Sequence, residues 1–156
     1  MEKSKELVKI LIDKGYTIAF AESCTGGMMA SSIVDVPDAS KVLNASFVTY
    51  ANVTKAKYAH VNPKTIEKYG AVSEEVAKEM AEGVANEVGA DVSVGISGIA
   101  GPSGGTDEKP VGTVCFGFYI DGVTHTVTKH FDHSDRNEVR INSVNFATQW
   151  LVDTLK

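Results

Sequence analysis

Short apolar, β-prone runs alternate with helical segments along the whole chain, and that alternation argues for an α/β layer architecture. Residues 17–21, 47–50 and 92–96 read as strands, the first and third apolar enough to be buried. Residues 113–120 and 123–131 flank Asp121-Gly122, a dipeptide that favours a two-residue hairpin turn. Helices are expected near residues 4–14, where Leu7, Ile10 and Leu11 share a face and Gly15 can end the helix, and over 25–33, broken by Pro37 and Asp38. A short helix can start at Asn52, and a long one closes the chain from 136 to 155. The clearest helix covers residues 73–88: Ser73 can cap it, Glu74 and Glu75 suit its positive end, and Gly89 suits its C-terminus. The sheet is therefore expected to be mixed, mostly parallel early with an antiparallel pair late. With no linker, repeat or low-complexity run in 156 residues, one domain is expected.

Charge and cysteine usage narrow the function classes. The net charge is −5 and the lysines are scattered, which argues against duplex nucleic-acid binding but allows a local pocket for one phosphate. No apolar stretch is long enough for a bilayer, and the charged start of the chain lacks a signal-peptide core, so a cytoplasmic protein without a membrane partner is expected. Cys24 and Cys115 are far apart and have no metal-type spacing, which fits reduced thiols. His60, His125, His130 and His133 show no metal-ligand spacing either, although His130 and His133 flank Asp132 and could titrate.

Three segments are unusual for plain scaffold. The first, Ala21-Glu22-Ser23-Cys24-Thr25-Gly26-Gly27, leaves a strand and opens a helix, where free N–H groups attract an anion such as phosphate; a tight turn with an N-cap is the alternative. The second is Ser97-Gly98-Ile99-Ala100-Gly101-Pro102-Ser103-Gly104-Gly105, whose glycines allow close backbone approach to a ligand or supply oxyanion donors; a mobile surface loop is the alternative. The third is Ser40 with Lys55 fifteen residues on, a weak signal for a serine activated by a desolvated lysine. Arg136 and Arg140, one turn apart, can clamp phosphate or form a solvated face, and Tyr50 can stack on an aromatic ring or close the core. Cys24 sits near a helix start, where a thiol pKa can fall, but reads mainly as a small packing residue.

Together these motifs resemble the CinA C-terminal family, the nicotinamide mononucleotide deamidases. The similarity spans residues 18–151 and rests on six motifs. Residues 21–27 read as AESCTGG. Phe47-Val48-Thr49-Tyr50 with Asn52 and Lys55 matches FVTYSNxxK, and Gly70-Ala71-Val72-Ser73 matches GAVS. Residues 97–105 match SGIAGPxGG, residues 109–114 match KPVGTV, and Asp135-Arg136 with Val139-Arg140 matches DRxxVR. The resemblance implies a three-layer α/β/α sandwich, a homodimer or higher oligomer, and metal-free hydrolysis of nicotinamide mononucleotide to nicotinate mononucleotide and ammonia, with no cofactor. It also implies that the family's Ser-Lys pair falls on Ser40 and Lys55. Departures from the pattern are Ser46 for glycine, Ala51 for serine, Val53-Thr54 for an acidic residue before the lysine, and Asp38-Ala39 before Ser40; Ala51 could remove a hydrogen bond near Lys55. Many members also carry an N-terminal molybdopterin-binding-like domain, which this chain is not expected to contain.

On this reading neutral Lys55 takes the proton of Ser40, and a glycine-bearing loop stabilises the oxyanion. Arg136, Arg140 or the turn of Ser23, Cys24, Thr25 and Gly26 holds the phosphate, and Tyr50 stacks on the pyridine. Ser97, Gly98, Gly101, Gly104 and Gly105 are expected to line the substrate. Two alternatives stay open: a non-catalytic nucleotide-binding module, and an amidase whose nucleophile is Ser23 or Cys24.

Overall fold

Alternation along each strand sorts side chains onto two faces of one sheet and decides which helix covers which face. The computed structural model describes residues 2–132 and 134–156; Met1 and His133 lie outside the described residues. Strands β1 (Ile18–Glu22), β2 (Phe47–Val48), β3 (Val92–Gly98), β4 (Thr113–Ile120) and β5 (Val123–His130) form one sheet in the order β2-β1-β3-β4-β5. β1 runs parallel to β2 and β3, whereas β4 is antiparallel to both β3 and β5. The sheet is mixed as expected, and its antiparallel part includes the β3–β4 pair beyond the hairpin.

Helices α1 (Glu2–Lys14), α2 (Met28–Val34) and α6 (Arg136–Leu155) cover one face. Leu7, Leu11, Phe20, Ile33, Phe116 and Leu151 meet there with no exposed surface, each worth about 1.5–3 kcal/mol of burial. Helices α3 (Asn52–Ala59), α4 (Pro63–Tyr69) and α5 (Glu74–Val88) lie on the other face. This gives three layers. The alternation is visible in β1, where Ile18 and Phe20 join the first core and Ala19 and Ala21 the second.

Small residues let α5 sit close to the sheet. A Cβ on Gly95 of β3 would lie 2.3 Å from the Ala77 carbonyl oxygen, and one on Gly117 of β4 would lie 2.4 Å from the same atom. Gly95→Ala is therefore expected to cost about 3 kcal/mol, read as a lower urea midpoint at unchanged slope. A variant as stable as the parent would contradict this packing.

Helix ends follow local chemistry where the cap is adjacent in sequence. The Ser73 side chain accepts from Val76 N–H at the start of α5, and Gly89 ends that helix at φ 74°. Asp135 and Glu138 form a reciprocal capping box on α6. α2 departs from expectation: it begins at Met28 rather than at residue 25, because Gly26 (φ 54°) and Gly27 (φ 98°) are left-handed. α3 starts at Asn52 itself, with Ala51 in the cap position, and α4, capped by Asn62 ahead of Pro63, adds a helix beyond those expected from the sequence. Among the described residues no helix is long and apolar enough to cross a membrane.

The three parallel strands end at the same edge of the sheet. The segments that follow them, residues 23–27, 49–51 and 99–112, therefore gather there, the place where open α/β sheets bind ligands.

Candidate active site

Lys55 is the least expected side chain of the interior, with 1% of its surface exposed. α3 carries it inward to the end of β1, where Nζ meets Ser23 Oγ at 3.2 Å, the Thr49 carbonyl at 2.9 Å and the Tyr50 carbonyl at 3.0 Å. An ammonium has three donors, so all of them are used. No carboxylate pairs with Lys55 among the described residues. Burial accordingly pushes its pKa below the usual lysine range, favouring the neutral amine. A neutral amine keeps two N–H groups and one lone pair. With the two carbonyls accepting both N–H groups, the lone pair faces Ser23 Oγ.

Ser23 ends the β1 segment, 8% exposed, with its own N–H tied to Ile96 O at 3.0 Å. The preceding residue, Glu22, has no exposed surface, and its two carboxylate oxygens accept from Met29 N–H (2.8 Å) and Ala30 N–H (3.0 Å). At the start of α2 itself, the Met29 and Ala30 N–H groups are therefore already capped by a carboxylate reached through space.

The expected Ser40–Lys55 pair is corrected. Ser40 lies exposed on a single 3₁₀ turn, Ala39–Lys41, which leads into the Ile18 N–H to Val42 O bond at the start of β1. Lys55 acts beyond the other end of that strand, and five residues of strand separate the two ends by about 13 Å. Fifteen residues of sequence separation thus place the two at opposite edges of the sheet. Ala51 does not weaken the lysine's bonds as expected, since Nζ already has its three acceptors.

Cys24 is 6% exposed, and burial pushes its thiol up to about 11, so it stays protonated at neutral pH. Both arginines reach this edge of the sheet. Arg136, exposed, donates from Nη1 to Gly101 O at 2.8 Å and from Nη2 to Tyr50 Oη at 3.1 Å, linking the glycine loop to the segment after β2. Arg140 donates from Nε to Cys24 O at 2.9 Å and from Nη2 to Thr25 O at 3.2 Å. A Cβ on Gly26 would lie 3.4 Å from that Nη2.

The glycine loop is tied down at its base, where Ile99 N–H donates to Thr113 O and Gly112 N–H to Ile99 O, and residues 102–105 are exposed. Gly98 packs beside Cys24 Sγ, Gly101 is buried against Val111, and Gly104 and Gly105 are exposed. Ser97 follows Gly95 on the α5 face of β3, at the register position next to Ser23, with its hydroxyl bound to Ala71 O at 2.7 Å. A cleft of about 420 Å³ opens between the start of α5 and strands β4 and β5, lined by Ser73, Glu74, Lys109, Cys115, Thr128 and His130 among others; neither Ser23 nor Lys55 borders it. Among the described residues no three His, Cys, Asp or Glu side chains converge on a possible metal position.

Comparison with known proteins agrees with the fold and the motifs. The CinA C-terminal domain matches residues 1–155. A CinA-like protein of Kosmotoga olearia is 47% identical over 151 residues, covering 96% of this chain and 36% of its own length. One of Chlorobaculum tepidum is 46% identical over 154 residues, with the same coverage of the two chains. The chain spans about a third of the length of such curated relatives. The crystal structure of a competence-damaged protein (CinA) superfamily protein from Escherichia coli superposes with TM-score 0.93 at 40% identity, over 96% of this chain and 87% of that one. That of a competence or damage-inducible protein from Enterobacter asburiae gives 0.95 at 35%, over 99% and 97%. Fold, motifs and relatives agree, and the chain belongs to the CinA C-terminal domain family.

Proposed function

We propose that this chain is an amidohydrolase that cleaves the carboxamide of nicotinamide mononucleotide, with Ser23 as nucleophile and Lys55 as its base. The observation that carries the reading is the Lys55 amine, desolvated, without a carboxylate partner among the described residues, and held by two carbonyls with its third position on Ser23 Oγ. A hydroxyl as third partner and a pKa lowered by burial, at the strand ends where open α/β sheets bind ligands, fit a base set beside its nucleophile.

Ser23 Oγ adds to the amide carbon as its proton passes to Lys55 Nζ. The C–N bond then breaks, and Lys55 returns the proton to the departing nitrogen, releasing ammonia. Water adds to the resulting ester, gives its proton to Lys55 and frees Ser23 and nicotinate mononucleotide. Arg136 has donors left for a phosphate and stands beside the exposed Tyr50 ring, on which a pyridine can stack. A second copy of the chain as partner remains part of the proposal.

The test is ammonia release from nicotinamide mononucleotide by metal-free protein across pH. The base must be neutral, and its pKa lies below the usual 10.5, so the rate should climb as pH rises through that depressed value and fall on the acid side. A rate that stays flat from acid to alkaline pH would remove lysine as the base. Ligand-induced thermal stabilisation without ammonia would favour a binding module instead.

A further inference from the structure

The turn after β1 contains a main-chain donor that the fold leaves unpaired and a distant side chain aims. Thr25 has no exposed surface, yet its N–H finds no acceptor among the described residues. Buried N–H groups are rarely left so, because the unmade bond costs about 1–3 kcal/mol. Of the neighbouring donors, Ser23 N–H goes to Ile96 O and Gly26 N–H to Ser23 O at 3.1 Å, while Cys24 and Gly27 N–H, like that of Thr25, find no main-chain or side-chain oxygen among the described residues.

The direction of the Thr25 N–H follows from Arg140. Its guanidinium is steadied by Asn137 Oδ1 at 3.1 Å and draws the Cys24 and Thr25 carbonyls toward α6. The Cys24–Thr25 peptide is trans, since Gly101–Pro102 is the cis bond among the described residues. In a trans peptide C=O and N–H point in opposite directions. Holding Cys24 O toward α6 therefore turns Thr25 N–H away from α6. Lys55 reaches Ser23 from α3, which packs on the other face of the sheet. The free N–H is thus turned toward the side from which Lys55 meets Ser23 Oγ.

We infer that Arg140 is a positioning residue that, by holding the Cys24 and Thr25 carbonyls, aims the Thr25 N–H at the oxyanion formed when Ser23 adds to the amide. This rests on Ser23 being the nucleophile. It differs from a phosphate clamp in one respect that kinetics can read: an oxyanion donor serves substrates with and without phosphate alike, and acts on kcat rather than on KM.

The experiment compares wild type, Arg140→Ala and Arg140→Lys, as full chains, on nicotinamide mononucleotide, nicotinamide riboside and p-nitrophenyl acetate. Losing an oxyanion donor outright costs 10²–10³-fold in kcat, and misaiming one should cost about 10- to 100-fold. The expected result for Arg140→Ala is that loss in kcat on all turned-over substrates, with KM little changed. Arg140→Lys should recover part of it, since an ammonium can serve one carbonyl, and millimolar guanidinium should rescue Arg140→Ala. A loss confined to the mononucleotide and carried by KM would overturn the inference and make Arg140 a phosphate ligand. If Arg140→Ala fails to fold, Arg140→Lys decides: a folded variant with wild-type kcat overturns the inference. Wild type that turns over the acetate or the riboside but not the mononucleotide would overturn the substrate reading alone, and wild type inert on all three would overturn the Ser23 reading and this one with it.

Discussion

Ser23→Ala is expected to lower ammonia release by at least about 10⁴-fold while leaving the fold intact. Removing the nucleophile of a serine hydrolase costs on the order of 10⁶ in kcat, and the residual rate comes from groups that still bind the transition state. The substitution deletes one hydroxyl whose bond is to Lys55, while the Ser23 N–H stays on Ile96 O, so the turn has no reason to collapse. Ser40→Ala, on an exposed turn at the other end of β1, should stay within about two-fold of wild type. Cys24→Ala should retain most of the activity, because a thiol with pKa about 11 supplies almost no thiolate at neutral pH. Parallel ammonia assays with circular dichroism check all three. Loss in Ser40→Ala or Cys24→Ala with retention in Ser23→Ala would reverse the assignment.

Lys55→Met is expected to lower kcat/KM by about 10³-fold, the middle of the range for general acid–base catalysis. It should also change how stability responds to pH. Between the depressed native pKa of Lys55 and its ordinary value of 10.5, the unfolded chain holds a proton that the native chain does not. Unfolding then takes up a proton, so stability rises with pH across that window. Methionine fills the same space without titrating, and urea midpoints of the variant should lose that rise. At neutral pH two effects oppose each other. A buried polar head disappears, which stabilises, and the Thr49 and Tyr50 carbonyls lose their donor, which costs about 1–3 kcal/mol each. Unchanged pH dependence of stability in Lys55→Met would mean that the lysine is not desolvated as described.

The elements with adjacent caps or strong alternation were legible in the sequence: α5 between Ser73 and Gly89, α6 from Arg136, and the hairpin at Asp121-Gly122. The start of α2 was not, because its cap is Glu22, six residues upstream on β1, and a through-space carboxylate leaves no local signature. α4 did leave one, Asn62 followed by Pro63, an N-cap ahead of a residue suited to the first helical position.

The candidate site was legible as a set of segments but not as a pair. Both Ser23 and Lys55 follow strands that prove to be parallel neighbours, so their turns share one edge. Ser40 precedes β2, and a parallel sheet places such a residue at the opposite edge. That topological argument favours Ser23 over Ser40, whereas the fifteen-residue spacing carries no geometric information. Arg140 was legible as a cation near the site, but its hold on two carbonyls depends on how α6 crosses the turn and needs the tertiary structure.

The most direct test of Ser23 as nucleophile is to mix enzyme with nicotinamide mononucleotide, quench within milliseconds, and locate any acyl adduct by peptide mass mapping. The account expects an ester of nicotinate mononucleotide on Ser23, formed together with the first equivalent of ammonia. The same adduct on Ser40, or a thioester on Cys24, would contradict it.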